Sequence, residues 1–196
     1  GSLRLNSLYS EKSFSNGKKS IEALPSVLCG IPSFEKPFVL SEFSGNTLNS
    51  LPSLLKPEGY TSVFYHGAPN GPMGFQSFAN LIGFDRYFGK TEYQNDTNYD
   101  GIWGIWDEPF LQAAARSISS LKAPFFSTIF TLSSHDPFKV PGQYRSKFKK
   151  GPHPIYETLA YTDHAIRQFF NYAKTQPWYT NTLFVFTADH TSSHAT

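Results

Sequence analysis

The chain is poor in cysteine, in long apolar runs and in net charge, and each shortage excludes something. It has one cysteine, Cys29, among 196 residues, so a disulfide framework and any zinc site built from thiolates are ruled out. No apolar run approaches the ~20 residues needed to span a bilayer, and no signal peptide is readable. Lys and Arg number 17 against 15 Asp and Glu, a formal net charge of +2. The basic residues are scattered except at Lys18-Lys19 and between Arg145 and Lys150. That short run reads as a solvated loop, because a nucleic-acid footprint needs a larger excess of positive charge. What the chain does have is rings: aromatic residues make up 17 %, with 19 Phe and 11 Tyr. A chain of this length and composition can bury a sizeable core as one domain, so disorder is not the default. The opening Gly1-Ser2 reads as a remnant foreign to the natural protein, whose own N-terminus is expected to lie upstream.

Three short apolar runs have the composition of buried strands: Thr61–His66, Phe125–Leu132 and Thr182–Thr187. They are continuous rather than alternating, as in strands covered on both faces. Helical patterns lie between them. Ile155, Leu159, Thr162, Ile166, Phe169 and Ala173 form a stripe at helical spacing. Asp107-Glu108-Pro109 starts another helix, with Asp107 as N-cap and Pro109 in the first turn, running to about Leu121. Weaker patterns cover Asn46–Leu55 and Met73–Ile82. Strands alternating with helices predict an α/β fold with a mainly parallel central sheet and helices on both faces. In such sheets chemistry gathers at the carboxyl ends of the strands.

The strand ends carry histidines. The first ends in His66-Gly67, the second runs into Ser133-Ser134-His135-Asp136, and the third ends in Asp189-His190. Asp189 and His190 pair a hard oxygen with an imidazole nitrogen, a donor set suited to Zn²⁺ or Mn²⁺. The plainer alternative is an Asp that caps a turn beside an exposed His. Ser20 follows a Gly-containing turn, Ser15-Asn16-Gly17-Lys18-Lys19, and opens an apolar helical stretch. A serine there is commonly an N-cap. It is also where a hydroxyl nucleophile would gain from the helix N-terminus and a coordinated metal. His135 and His66 are candidates for holding a phosphoryl oxygen or exchanging a proton, against ordinary structural roles. The Gly67–Gly74 loop lacks the Lys-Ser/Thr ending of a P-loop. His153 and His164 look incidental, and His194 lies near enough in sequence to Asp189-His190 to touch that site.

Taken together these segments resemble a known family. Ser133-Ser134-His135-Asp136-Pro137-Phe138, after Phe130-Thr131-Leu132, resembles a signature of lipoteichoic-acid synthases and related phosphoglycerol transferases in the sulfatase branch of the alkaline phosphatase superfamily. Thr187-Ala188-Asp189-His190-Thr191 resembles their metal-binding motif, with Tyr161-Thr162-Asp163 in the helix before it. Phe64-Tyr65-His66-Gly67 and Gly83-Phe84-Asp85-Arg86-Tyr87-Phe88 resemble their substrate-side segment, and Asn16-Gly17-Lys18-Lys19-Ser20 their nucleophile segment. The resemblance covers nearly the whole chain, in the family's order.

It implies an alkaline-phosphatase-like fold over residues 1–196, as part of a catalytic domain outside a bacterial membrane and anchored by N-terminal helices absent from this chain. It implies Ser20 as nucleophile and metal ligand, Asp189 and His190 as ligands of one Mn or Zn ion, and His66 and His135 at the phosphate or head group. The implied substrate is a phospholipid or glycan-linked phosphodiester, with no nucleic acid involved. The sequence departs from the pattern in places. Serine replaces the usual threonine nucleophile. Ala68, Met73 and Phe75 stand where the synthases carry an acidic residue, Trp and Arg. An acidic metal ligand is expected upstream of Leu3. Three rival expectations remain: a binding or structural domain with an incomplete metal site, a sulfuric ester hydrolase, and a metal-free Ser-His-Asp hydrolase. The second is disfavoured because Ser20-Ile21-Glu22-Ala23-Leu24 lacks the C/S-x-P-x-R pattern, and the third because no G-x-S-x-G elbow is present.

Overall fold

The computed structural model describes residues 2–33 and 36–192. His194, one of the weaker candidates, lies outside the described residues. Helices run over Ser2–Leu5 (α1), Ser20–Cys29 (α2), Leu51–Leu55 (α3), Phe75–Leu81 (α4), Lys90–Tyr93 (α5), Asp107–Ser119 (α6) and Ile155–Ala173 (α7). The strands are Thr61–His66 (β1), Arg86–Phe88 (β2) and Phe125–Phe130 (β3). They form a three-stranded sheet in the order β2-β1-β3, parallel throughout.

β1 is the central strand, and its alternation builds two cores. Val63 and Tyr65 face α6 and α7, packing with Phe110, Ala114, Ala165 and Phe169. Phe64 faces the other way, onto Leu24 and Leu28 of α2 and Phe75 and Phe78 of α4. Helices therefore cover both faces of a parallel sheet, the α/β arrangement expected from the sequence. Phe64 and Tyr65 are fully buried; each such ring contributes roughly 1.5–3 kcal/mol relative to exposure.

Several local expectations need correction. Thr182–Thr187 is not a strand. Leu183 and Val185 are 88 % and 78 % exposed, while Phe184 packs against the α6–α7 core and Phe186 meets the ring of Phe170. Strand composition was present, but the segment has no ladder partner among the described residues, and a strand requires one. β2 was unrecognised because Arg-Tyr-Phe is too short to carry a pattern. The α7 stripe is rotated: Thr158, Tyr161, Ala165, Phe169, Phe170 and Ala173 are buried, whereas Leu159 is exposed. Ala114 and Ala115 of α6 meet Ala165 and Ala173 of α7 in one core at 0 % exposure. Small side chains let the helices approach closely, so they outrank the larger apolar residues. Asp107 is not an N-cap either. Trp106 holds that position, and Asp107 is the first helical residue, buried at 2 % exposure.

Candidate active site

The candidate residues are held by four different segments. Ser20 is the first residue of α2, with Lys19 at the N-cap. Its position follows from the turn before it. Glu22 turns back to accept a hydrogen bond from the Lys18 N–H at 2.6 Å. Gly17 lies so close that an added Cβ would meet the Glu22 Cβ at 2.7 Å. Ser20 itself is buried at 6 % exposure. The first amides of a helix have no intrahelical acceptor, so α2 turns its positive end toward this hydroxyl.

The Ser20 hydroxyl donates a hydrogen bond of 2.6 Å to Oδ2 of Asp189, across 169 residues of sequence. His190 Nε2 lies 3.4 Å from the same oxygen. His190 Nδ1 donates to the Thr191 carbonyl at 2.8 Å, and the Asp189 Oδ1 accepts from the His190 amide at 2.9 Å. The structure therefore brings Ser20, Asp189 and His190 together, although the strand expected to carry the last two does not form. Among the described residues no three His, Cys, Asp or Glu side chains gather to hold a metal. The donor set nevertheless fits a divalent cation. It offers a carboxylate oxygen, a serine oxygen and an imidazole nitrogen whose ring is oriented by the bond from its other nitrogen to a backbone carbonyl, as is usual for a ligating His.

His66 and His135 share a cleft of about 210 Å³ with Ser20. His66 ends β1 and is 2 % exposed. Its Nδ1 is hydrogen-bonded to the Tyr87 hydroxyl at 2.9 Å. Phe75 lies tilted against its ring, with centroids 4.3 Å apart, and Phe130 meets it edge-on at 5.2 Å. Burial, with the neighbouring His135 adding to the effect, pushes the His66 imidazole down to about 3. His66 is thus a neutral ring, not a cation for phosphate. Burial also holds the Tyr87 phenol well above its usual range, with Glu92 adding to the effect.

His135 lies just beyond β3, with its Nδ1 2.9 Å from the Leu132 carbonyl oxygen. Trp103 packs on it, ring centroids 4.9 Å apart, and is pinned by its indole N–H to the Asp136 carbonyl. The rest of the cleft wall is apolar, including Met73, Phe75, Ile102, Phe130 and Leu132. A wider hollow of about 470 Å³ around Asn70, Lys90 and Asp96 contains none of the candidate residues.

Sequence reasoning missed Ile102 and Trp103. The Asp100 carboxylate accepts from the amides of Ile102, Trp103 and Gly104 at 2.8, 2.8 and 3.0 Å, curling the loop into the cleft mouth. Gly104 makes this feasible: a Cβ there would meet the Gly67 carbonyl oxygen at 2.6 Å. The signal was a ring-bearing segment bracketed by glycines, Gly101-Ile102-Trp103-Gly104. His164, set aside as incidental, lies 3.7 Å from Glu108 on the outer side of the α6–α7 pair.

The family model described as Sulfatase matches residues 2–196. Lipoteichoic acid synthase 1 of Bacillus subtilis is 32 % identical over 152 residues, covering 74 % of this chain and 24 % of the relative. Phosphoglycerol transferase I of Citrobacter koseri is 27 % identical over 188 residues, covering 86 % of this chain and 24 % of the relative. This chain thus spans about a quarter of the length of the curated relatives it matches. A crystal structure of an alkaline phosphatase superfamily protein from Vibrio parahaemolyticus superposes with a TM-score of 0.74 at 26 % identity, over 84 % of this chain and 41 % of that one. The lipoteichoic acid synthase LtaP from Listeria monocytogenes shares the fold, with a TM-score of 0.74 at 20 % identity over 86 % of this chain and 43 % of its own.

Proposed function

Because the chain belongs to the sulfatase family, we propose that the protein transfers or hydrolyses a phosphoglycerol- or phosphoethanolamine-type phosphodiester on the outer face of a bacterial membrane. The group passes through a covalent intermediate on Ser20. Relatives named as lipoteichoic acid synthase and phosphoglycerol transferase support phosphodiester chemistry. The observation that carries the reading is the 2.6 Å bond from the Ser20 hydroxyl to Asp189. None of the described helices is long and apolar enough to cross a membrane; attachment through helices absent from this chain is part of the proposal.

Ser20 Oγ forms the new bond to phosphorus, and the bond from phosphorus to the leaving alcohol oxygen breaks. Asp189 stands ready to take the hydroxyl proton. The N-terminal end of α2 favours the arriving negative charge. His135, its Nδ1–H held by the Leu132 carbonyl, gives a proton from Nε2 to the leaving alkoxide when the ring enters the step as imidazolium, and is left neutral with Nε2 free. In the second half-reaction the neutral His135 takes a proton from the acceptor alcohol or water, whose oxygen forms the new bond to phosphorus; the bond from phosphorus to Ser20 Oγ breaks and Asp189 returns the proton to Oγ. His66, neutral and wedged between Phe75 and Phe130, orients the group through hydrogen bonding rather than charge. Ser20, Asp189 and His190 would hold one Mn or Zn ion, which when bound would acidify the serine hydroxyl and neutralise phosphate oxygens.

Ser20→Ala tests this with bis(p-nitrophenyl) phosphate and Mn²⁺ or Zn²⁺. Loss of at least ~10³-fold in kcat is expected for removal of a nucleophile; unchanged hydrolysis would overturn the assignment. A second reading, a binding domain with an incomplete metal site, draws on the lack of a third His, Cys, Asp or Glu beside Asp189 and His190 among the described residues. Stoichiometric tight uptake of Zn²⁺ would exclude it.

A further inference from the structure

Asp107 does not line the cleft, yet its carboxylate accepts three hydrogen bonds behind it. Its Oδ1 accepts from the Leu132 amide at 2.8 Å and the Ser133 amide at 3.1 Å. Its Oδ2 accepts from the Thr162 hydroxyl of α7 at 2.8 Å. Its own amide donates to the Ser133 hydroxyl at 2.9 Å. Thus α6, α7 and the chain just after β3 meet at one buried group. Burial pushes the Asp107 carboxyl up, and the bonds it accepts from Leu132, Thr162 and Ser133 oppose that shift; accepting from three donors is the pattern of a carboxylate.

The peptide unit that joins Leu132 to Ser133 has two ends. Its N–H, on Ser133, points at Asp107. Its C=O, on Leu132, accepts from Nδ1 of His135 at 2.9 Å and from the His135 amide at 3.2 Å. A carbonyl cannot donate, so Nδ1 must carry the hydrogen, which leaves Nε2 of the neutral ring as the free acceptor. A negative charge at the N–H end polarises the amide and makes its oxygen a better acceptor, as in any hydrogen-bonded chain.

We propose that Asp107 is a positioning residue that fixes the tautomer and orientation of His135 through this single peptide unit. It does the work that a carboxylate bonded directly to a histidine does in other sites, with an amide interposed. The role rests on the reading of His135 as the group that exchanges a proton at Nε2. A purely structural Asp107 would tie the loop down without biasing the ring.

The test is ¹⁵N–¹H correlation of the histidine rings in the whole chain, with His135→Gln assigning the resonances. The wild-type ring is expected to carry its proton on Nδ1 by at least about tenfold, as a charge-assisted chain would impose. Asp107→Asn keeps the size and one acceptor oxygen but removes the charge. It is expected to shift the ratio toward the Nε2–H form by about twofold, the loss of a ~10–30 % cooperative strengthening of the bond at the carbonyl end. Thr162→Val, which leaves the charge in place, is expected to keep the wild-type ratio. An unchanged ratio in folded Asp107→Asn would overturn the proposal. If that variant does not fold, Asp107→Glu, which keeps the charge but displaces it from the Ser133 amide, takes its place: a shift toward the Nε2–H form supports the proposal and an unchanged ratio overturns it. The readout needs no turnover, so it stands apart from whether Ser20→Ala abolishes activity.

Discussion

The two halves of the candidate site are built in different ways. His66 and His135 belong to an interior half. One is buried between Phe75 and Phe130, and the other is fastened to a peptide that Asp107 holds from behind. Ser20 and Asp189-His190 form the outer half. There the Asp189 and His190 side chains are 32 % and 28 % exposed, and the hold on Ser20 is one side-chain hydrogen bond. The interior half is fixed by folding itself. The outer half brings together donors that a ligand would lock. Substitutions inside should therefore damage the fold, and substitutions outside should damage binding and chemistry.

Asp107→Ala is expected to have the largest effect on stability. It leaves the Leu132 and Ser133 amides buried without an acceptor, which at ~1–3 kcal/mol for each orphaned group predicts a loss of about 2–6 kcal/mol. Urea unfolding measures it, and a loss below about 1 kcal/mol would break the comparison. His66 comes next. Its folded pKa of about 3 lies below the ordinary histidine value of 6.5, so the unfolded chain binds the proton first. The stability tied to the neutral ring is complete above pH 6.5 and is lost as pH falls toward 3. The slope approaches ~1.4 kcal/mol per pH unit for one proton. His66→Phe should flatten urea-derived stability over that window by the same proton.

Gly104→Ala sharpens the contrast at the cleft mouth. The new methyl would press on the Gly67 carbonyl, backbone that cannot swing aside, and about 1–3 kcal/mol should be lost. Thermal unfolding would detect this as a lowered midpoint. Asp189→Asn belongs to the other half: its effect on stability should stay within ~0.5 kcal/mol. Its affinity for Zn²⁺, measured by calorimetric titration, should nonetheless fall at least about tenfold.

The interior was legible where composition and periodicity agree. Thr61–His66 reads as a buried strand and is one, because every residue after Thr61 is enclosed. Thr182–Thr187 has equally good composition and still fails as a strand, since apolar residues cannot supply a neighbouring ladder. The α7 face differs from the stripe because alanines, weak in any hydropathy pattern, are among its most deeply buried residues. Asp107 was read as a cap because an Asp before Glu-Pro is the usual helix start. Only the fold shows that its carboxylate faces β3 instead. The meeting of Ser20 with Asp189 could be anticipated from the ordered motifs; the loop that brings Trp103 onto His135 could not, since it depends on the amides that Asp100 gathers.

The covalent step is open to direct observation. The protein is incubated with a phosphodiester and Mn²⁺ or Zn²⁺, quenched in acid, digested and analysed by mass spectrometry. The account predicts the transferred phosphoryl group on the peptide that contains Ser20, and none in Ser20→Ala. Turnover with an unmodified Ser20, or with the group attached to His135 instead, would contradict it.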